Sequence, residues 1–301
     1  FALVGESGCG KSLTALSLMR LLPESAQITA GSVTIDGENL LELPEKEMQS
    51  RRGARIAMIF QEPATSLNPV LTIGDQIVEA VLLHQKISKK DARSKALKWL
   101  ERVGIDAPKK RFEAFPHELS GGQKQRVMIA MALACEPQVV VADEPTTALD
   151  VTLQAQILEL LKKLQKERGI ALLLITHDLA VVRQCADRVA LMYAGQIVEE
   201  NTAAEFFAHP QHPYARQLLA AVPSPDKSKG LLTGIAGTVP ELGAMPKGCR
   251  FAPRCKIAKK ECTCREIPLV RMKKQAALRC LQTDSVISLE KFVEAPTAKP
   301  G

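Results

Sequence analysis

Residues Gly5-Glu6-Ser7-Gly8-Cys9-Gly10-Lys11-Ser12 fit the spacing G-x4-G-K-S and directly follow a short apolar run at residues 1–4. Few features constrain a fold more, because such a loop needs a strand to deliver the chain and a helix to receive it. Glycines let the backbone wrap a polyphosphate, successive N–H groups and the following helix N-terminus supply positive potential, a lysine at position 11 reaches the terminal phosphates, and the Ser12 hydroxyl suits Mg²⁺. Leu13, Leu16 and Met19 lie immediately behind the loop, where the helix is required; a chance Gly-rich turn would not need them. A loop this near residue 1 also implies that the natural chain begins upstream.

The 301 residues are 46% hydrophobic, enough for one sizeable domain with an appendage or for two small domains. The formal charge of +7 is uneven: residues 1–223 carry 25 Lys and Arg against 26 Asp and Glu, whereas residues 224–301 carry 15 against 7. Nucleic-acid binding by that basic tail is disfavoured, because aromatic residues are nearly absent among its charges. No apolar run reaches the roughly 18 residues needed to span a bilayer, so a soluble, cytoplasmic chain held to any membrane by partners is expected. Eight cysteines in such a compartment favour metal ligation, reactive thiols or burial over a disulfide framework.

The pattern along the chain is that of an α/β protein. Residues 32–37 read as a strand entering a turn and residues 55–60 as a second strand, together implying a mixed sheet. Helical spacing over residues 73–103 (Ile77, Val81; Ala96, Leu100, Val103) marks a helical insertion. A helix is expected from Ser120 to about Ala134, a buried parallel strand at residues 139–142 ending in Asp143-Glu144, and a helix over residues 152–168 stopped by Gly169. Another buried strand at residues 170–175 ends in Thr176-His177-Asp178. Polar residues at the carboxyl ends of parallel strands face the crevice where open α/β sheets bind ligands. Beyond Val198 the pattern loosens, and Pro210, Pro213, Pro223 and Pro225 read as a linker to a Cys-rich tail.

Five further motifs follow the phosphate loop in order: Phe60-Gln61-Glu62, Leu119-Ser120-Gly121-Gly122-Gln123, residues 139–144, Ala148-Leu149-Asp150, and Thr176-His177-Asp178. The set resembles the Q-loop, signature, Walker B, D-loop and switch histidine of an ABC-type ATPase. The resemblance implies a P-loop NTPase with a RecA-like core sheet, its N-terminal β part truncated, over residues 1–205. It further implies a helical subdomain at about 62–136 and a small Cys-rich extension over 206–301. It also implies that Asp143, Ser12 and Gln61 hold Mg²⁺, that Glu144 accepts the proton of the attacking water, and that His177 lies by the γ-phosphate of ATP. Ser120, Gly121, Gly122, Gln123 and Asp150 would serve the nucleotide of a second ATPase subunit, identical or different. In this family adenine stacks on an aromatic side chain upstream of the phosphate loop, and none precedes Phe1 here.

Gln61-Glu62-Pro63 with Ser66-Leu67-Asn68-Pro69, Asp143 to Thr152, His212-Pro213-Tyr214 and Gly248-Cys249-Arg250-Phe251-Ala252-Pro253-Arg254-Cys255 are similar to the ATP-binding subunits of bacterial dipeptide and oligopeptide importers. That resemblance implies ATP-driven peptide import through two permeases fed by a periplasmic binding protein, at the cytoplasmic face of the inner membrane. Relatives with the same motifs serve nickel or glutathione. Rival readings are a soluble ABC ATPase of the carbon-phosphorus lyase type and a nucleic-acid-directed ABC ATPase.

Cys249, Cys255, Cys262 and Cys280 have the spacing C-x5-C-x6-C-x17-C, and four soft thiolates suit an iron-sulfur cluster or tetrahedral Zn²⁺, with unligated thiols a third reading. The family resemblance implies a [4Fe-4S] cluster there, with thiolate charge offset by Arg250, Arg254 and Lys256. Cys264 is extra to the pattern. Cys135 and Cys185 read as small buried apolar residues, and Cys9 as a loop filler open to oxidation when nucleotide is absent. His84, His117, His209 and His212 read as structural.

Overall fold

The computed structural model describes residues 1–147, 149–222, 234–272 and 276–282. In chain order the principal elements are β1 (Ala2–Val4), α1 (Lys11–Met19), β2 (Thr34–Ile35), β3 (Glu38–Asn39), α2 (Glu45–Arg51), β4 (Ile56–Ile59) and α3 (Pro63–Ser66). There follow α4 (Ile73–His84), α5 (Lys89–Arg102), α6 (Pro108–Arg111), α7 (Gly121–Leu133), β5 (Val139–Asp143), α8 (Val151–Arg168) and β6 (Ala171–Thr176). The remainder is α9 (Leu179–Cys185), β7 (Arg188–Tyr193), β8 (Gln196–Thr202), α10 (Ala203–Ala208), α11 (Pro213–Ala221), α12 (Glu261–Cys264), β9 (Val270–Arg271) and β10 (Ala277–Leu278). The chain divides into two compact units, one of Phe1 with Ser12–Thr176, the other of Ala2–Lys11 with His177–Gly301. No helix among the described residues is long and apolar enough to cross a membrane.

In the first unit β4, β5 and β6 are parallel, with Ala57 opposite Val140 and Val140 opposite Leu172. Val140, Val141 and Ala142 of β5 are fully buried, which is why this strand reads as an unbroken apolar run rather than an alternating one. The helical insertion is two helices, α4 and α5, packed on each other and on α7. Thr72 and Ser88 cap them by accepting from the backbone N–H of Asp75 and Asp91, each at 3.1 Å. Their apolar stripes (Ile73, Ile77, Val81; Ala92, Ala96, Trp99) are buried. Gly169 ends α8 in the left-handed conformation, φ 65°, the expected stop. Residues 32–37 depart from expectation. Only Thr34–Ile35 is extended, and it pairs with Glu38–Asn39 in a separate two-stranded sheet, because Asp36 and Gly37 turn the chain with positive φ.

The second unit pairs β1 parallel to β7, β7 antiparallel to β8, β8 antiparallel to β10 and β10 antiparallel to β9. The loosened pattern past Val198 therefore conceals order: β8 continues to Thr202. The expected proline linker is also corrected at Pro213, which occupies the first turn of α11. There its missing N–H costs nothing, and His212 caps the helix by accepting from Tyr214 N at 3.1 Å. Buried Glu199 holds the preceding turn, its carboxylate accepting from the backbone N–H of His212 at 2.7 Å and of Gln211 at 3.1 Å. Phe251 of the Cys-rich segment joins Tyr193, Tyr214 and Phe206 in one buried cluster, so that segment shares a core with the sheet.

Candidate functional site

Residues 5–11 of the phosphate loop, following β1, belong to the second unit, and Ser12 to the first. An added Cβ on Gly5 would lie 2.3 Å from the Met192 carbonyl oxygen and 2.7 Å from Cys9 Sγ, so only glycine lets the loop lie this close against the end of β7. Cys9 N donates to Glu6 O (3.3 Å), and Gly195 N, in the turn between β7 and β8, donates to Cys9 O (2.8 Å). The buried Lys11 ammonium donates to the carbonyls of Gly5 (3.0 Å) and Glu6 (3.1 Å), which holds the cation at the loop's mouth. Cys9 corrects an expectation. Its thiol is buried beneath the loop rather than open, and burial pushes its pKa up against the opposing pull of Lys11.

Three side chains that the sequence does not tie to this loop hold it or its flank. The Tyr214 hydroxyl accepts from Glu6 N at 3.0 Å. The Arg254 guanidinium embraces the Glu6 carboxylate through both terminal nitrogens, at 2.7 and 3.1 Å, and also donates to the Tyr193 hydroxyl at 3.3 Å. Burial works against the Arg254 charge, but the hydrogen bonds to Glu6 and Tyr193 outweigh it and raise its pKa. Arg250 donates to the Ala194 carbonyl beside Gly195. Arg254, expected to offset part of the thiolate charge, has its guanidinium committed to Glu6 of the phosphate loop and to Tyr193. Tyr214 and Arg254 sit within quoted motifs, yet nothing in the sequence ties them to a residue more than 200 positions away.

In the first unit, the left-handed backbone of Glu144 (φ 44°) follows directly on β5. Its N–H donates to Ile175 O at 2.9 Å. Its carboxylate accepts from Gln61 Nε2 (3.3 Å) and Thr147 Oγ1 (2.9 Å), so the predicted Gln61 and Glu144 come together. Asp143 is buried at the end of β5, whereas Ser12 and Gln61 are exposed. Both Ser12 and Asp143 offer hard oxygens, as does the Gln61 amide, a donor set that fits Mg²⁺.

The signature segment forms a capping box: Gln123 N donates to Ser120 Oγ (3.3 Å) and Ser120 N to Gln123 Oε1 (3.1 Å). Gly121 and Gly122 begin the 13-residue α7. Asp150 caps α8 by accepting from Leu153 N at 2.9 Å, and Ala148 of the same motif lies outside the described residues. His177 is exposed; its neighbour Asp178 caps α9 through the N–H groups of Ala180 and Val181.

Cys249, Cys255 and Cys280 have pKa values raised first by burial and then by electrostatic repulsion among the thiols that includes Cys262; Cys280 is pushed up to about 11. Cys249 N donates to Cys262 O at 2.7 Å. Cys264 stands apart, exposed, with its thiol donating to Lys260 O. Among the described residues no group of three or more His, Cys, Asp or Glu side chains is arranged to hold a metal ion. The structure therefore does not bring Cys249, Cys255, Cys262 and Cys280 together as a ligand shell.

Residues 1–147 match the family model "ABC transporter", and residues 198–262 match "Oligopeptide/dipeptide transporter, C-terminal region". The chain is 55% identical to the dipeptide transport ATP-binding protein DppD of Bacillus subtilis over 256 residues, 85% of this chain and 76% of that one. It is 54% identical to the oligopeptide transport ATP-binding protein OppD of the same organism, over 86% of this chain and 73% of that one. Among solved structures, the dimeric ATP-binding cassette MJ0796 bound to ADP and Pi is similar, with TM-score 0.59 and 32% identity over 67% of this chain and 84% of that one.

Proposed function

We propose, from the premise that this chain belongs to the ABC transporter ATP-binding proteins of the dipeptide and oligopeptide type, that it hydrolyses ATP to energise peptide import. The observation that carries this reading is the pairing, in one chain, of a complete ATPase motif set with the C-terminal region matched at residues 198–262. Residues Gly5 to Ser12 hold the phosphates, and Ser12, Asp143 and Gln61 hold Mg²⁺, which neutralises charge on the transferring phosphoryl group. Glu144 takes the proton of the attacking water, an assignment supported by its hydrogen bonds to Gln61 and Thr147, which aim the carboxylate. His177 contacts the γ-phosphate.

The N–H groups at Gly121 and Gly122 and the D-loop residue Asp150 serve nucleotide bound by a second ATPase subunit, a role supported by the dimeric state of MJ0796. Partners are therefore a second ATPase and two integral membrane permeases, with a periplasmic peptide-binding protein acting through them, at the cytoplasmic face of the inner membrane. The domain reading stays at residues 1–205 for the ATPase, with its helical part at about 62–136, and 206–301 for the extension. Co-purification of the tagged chain with integral membrane subunits, and phosphate release that depends on them, tests this reading. Isolation only with soluble partners, or salt-sensitive binding to DNA or RNA, would favour a rival.

The finer reading is that Cys249, Cys255, Cys262 and Cys280 hold a [4Fe-4S] cluster, with Zn²⁺ the alternative occupant. The upward push that the neighbouring cysteines add to the pKa values of Cys249, Cys255 and Cys280 supports it, since thiolates at these positions repel one another and a cationic core would relieve that repulsion. A cluster would staple a segment with few apolar residues of its own. Anaerobic purification with iron, sulfide and zinc analysis decides between the occupants, and stoichiometric zinc without acid-labile sulfide would overturn the cluster.

A further inference from the structure

Glu6 is the residue through which the Cys-rich segment meets the nucleotide loop. Three of its groups are engaged, each by a different element. Its carbonyl accepts from Lys11 Nζ at 3.1 Å, its N–H donates to the Tyr214 hydroxyl at 3.0 Å, and its carboxylate takes both terminal nitrogens of Arg254. Arg254 is itself held rigidly. Its side chain is only 6% exposed, its Nε donates to Ala236 O at 2.8 Å, and Nη2 donates to Ile235 O at 3.2 Å. The guanidinium also lies 5.6 Å from the Tyr193 ring centroid and 5.9 Å from that of Phe251. A bidentate arginine–carboxylate pair fixes direction as well as distance, and a buried, fully hydrogen-bonded arginine cannot swing aside without leaving donors unpaired. The chain therefore runs without a gap from the Cys-rich segment through Arg254 and Glu6 to the phosphate-reaching Lys11.

We propose that Arg254 is a positioning residue for ATP: by fixing Glu6 it sets the phosphate loop and Lys11 in their binding geometry, so the Cys-rich segment governs nucleotide affinity. This rests on the reading that the loop binds ATP. Arg250 acts in the same sense on the opposite flank, through the Ala194 carbonyl and the Gly195 N–H that donates to Cys9 O.

The test uses the full natural chain with its partner ATPase and compares Arg254→Met, Arg254→Lys, Glu6→Gln and the double variant Arg254→Met/Glu6→Gln, with Lys11→Ala as the reference for a broken phosphate site. Arg254→Met and Glu6→Gln should each raise the KM for ATP about tenfold while kcat changes less than about twofold, the double variant should be no worse than the worse single, and Arg254→Lys should recover part of the loss. Additive losses, or an unchanged KM with lower kcat as folded enzyme is lost, would overturn the proposal. Should Arg254→Met not fold, the nearly isosteric Glu6→Gln and Arg254→Lys carry the same comparison, and a normal KM in both would refute it. If Lys11→Ala binds ATP as tightly as the parent, the reading of the loop itself fails. If Lys11→Ala loses ATP while Arg254→Met and Glu6→Gln keep it, only the positioning role fails.

Discussion

Replacing His212 by Asn should flatten the dependence of stability on pH. The imidazole is 1% exposed, and burial pushes its pKa down from 6.5 to about 3, so the folded chain keeps it neutral. Between those values the unfolded chain binds a proton at this position that the folded chain refuses. The stabilisation present above pH 6.5 is therefore lost progressively as pH falls towards 3. From about pH 7.5 to about pH 5.5 this linkage costs the parent about 1.4 kcal/mol, because the unfolded imidazole is then mostly protonated. Asn keeps an oxygen that can accept from Tyr214 N, preserving the cap of α11, but it does not titrate. Glu199 beside it is raised by burial and contributes with the opposite sign, and it is common to both proteins, so the difference isolates His212. Urea unfolding at the two pH values, followed by circular dichroism, measures it. The parent should lose about 1.4 kcal/mol more than His212→Asn on acidification, and equal losses would refute the buried neutral imidazole. Since α11 carries the Tyr214 hydroxyl that holds Glu6 N, acid should also loosen the phosphate loop before the whole fold melts.

Glu144→Gln keeps an oxygen for Gln61 and Thr147 but loses the proton acceptor, so phosphate release should fall by about 10²–10⁴-fold with ATP binding retained; turnover within tenfold of the parent would remove Glu144 from its role. Gly5→Ala forces its new methyl against the Met192 carbonyl, a conflict worth about 1–3 kcal/mol that should appear as a lowered melting temperature and weaker ATP binding by calorimetry. Unchanged values for both would show that the loop does not lie so close to β7. Metal content should survive Cys264→Ser and fall in Cys262→Ser, since Cys262 but not Cys264 contributes to raising the pKa values of Cys249, Cys255 and Cys280; the reverse pattern would assign the ligand to Cys264.

The ATPase motifs were legible because each is a local pattern whose geometry its own residues impose. Ser120 and Gln123 cap one another, Asp150 and Asp178 cap the helices they precede, and the apolar run of β5 can be satisfied only by burial on both faces. Residues 32–37 misled because two extended residues before Asp36-Gly37 read like the start of a longer strand, while the positive φ of that pair turns the chain back at once. Pro213 reads in the sequence as a linker mark although proline at the first position of a helix starts one, and the capping acceptor is a histidine rather than the usual Ser, Thr, Asp or Asn. The support of the phosphate loop was invisible for a different reason. Arg254 and Glu6 are 248 positions apart, and no periodicity or spacing reports a contact made only when the Cys-rich segment packs into the core around Phe251.

ATP turnover at this chain is proposed to drive peptide import. Its most direct test is uptake of a radiolabelled dipeptide and a longer oligopeptide into vesicles holding the two permeases, the binding protein and both ATPases, with this chain either as the parent or as Glu144→Gln. ATP-dependent accumulation of at least one peptide is expected with the parent, and ATP binding without accumulation with Glu144→Gln. Equal uptake by the two, or vigorous ATP hydrolysis by the parent with no peptide moved, would contradict it.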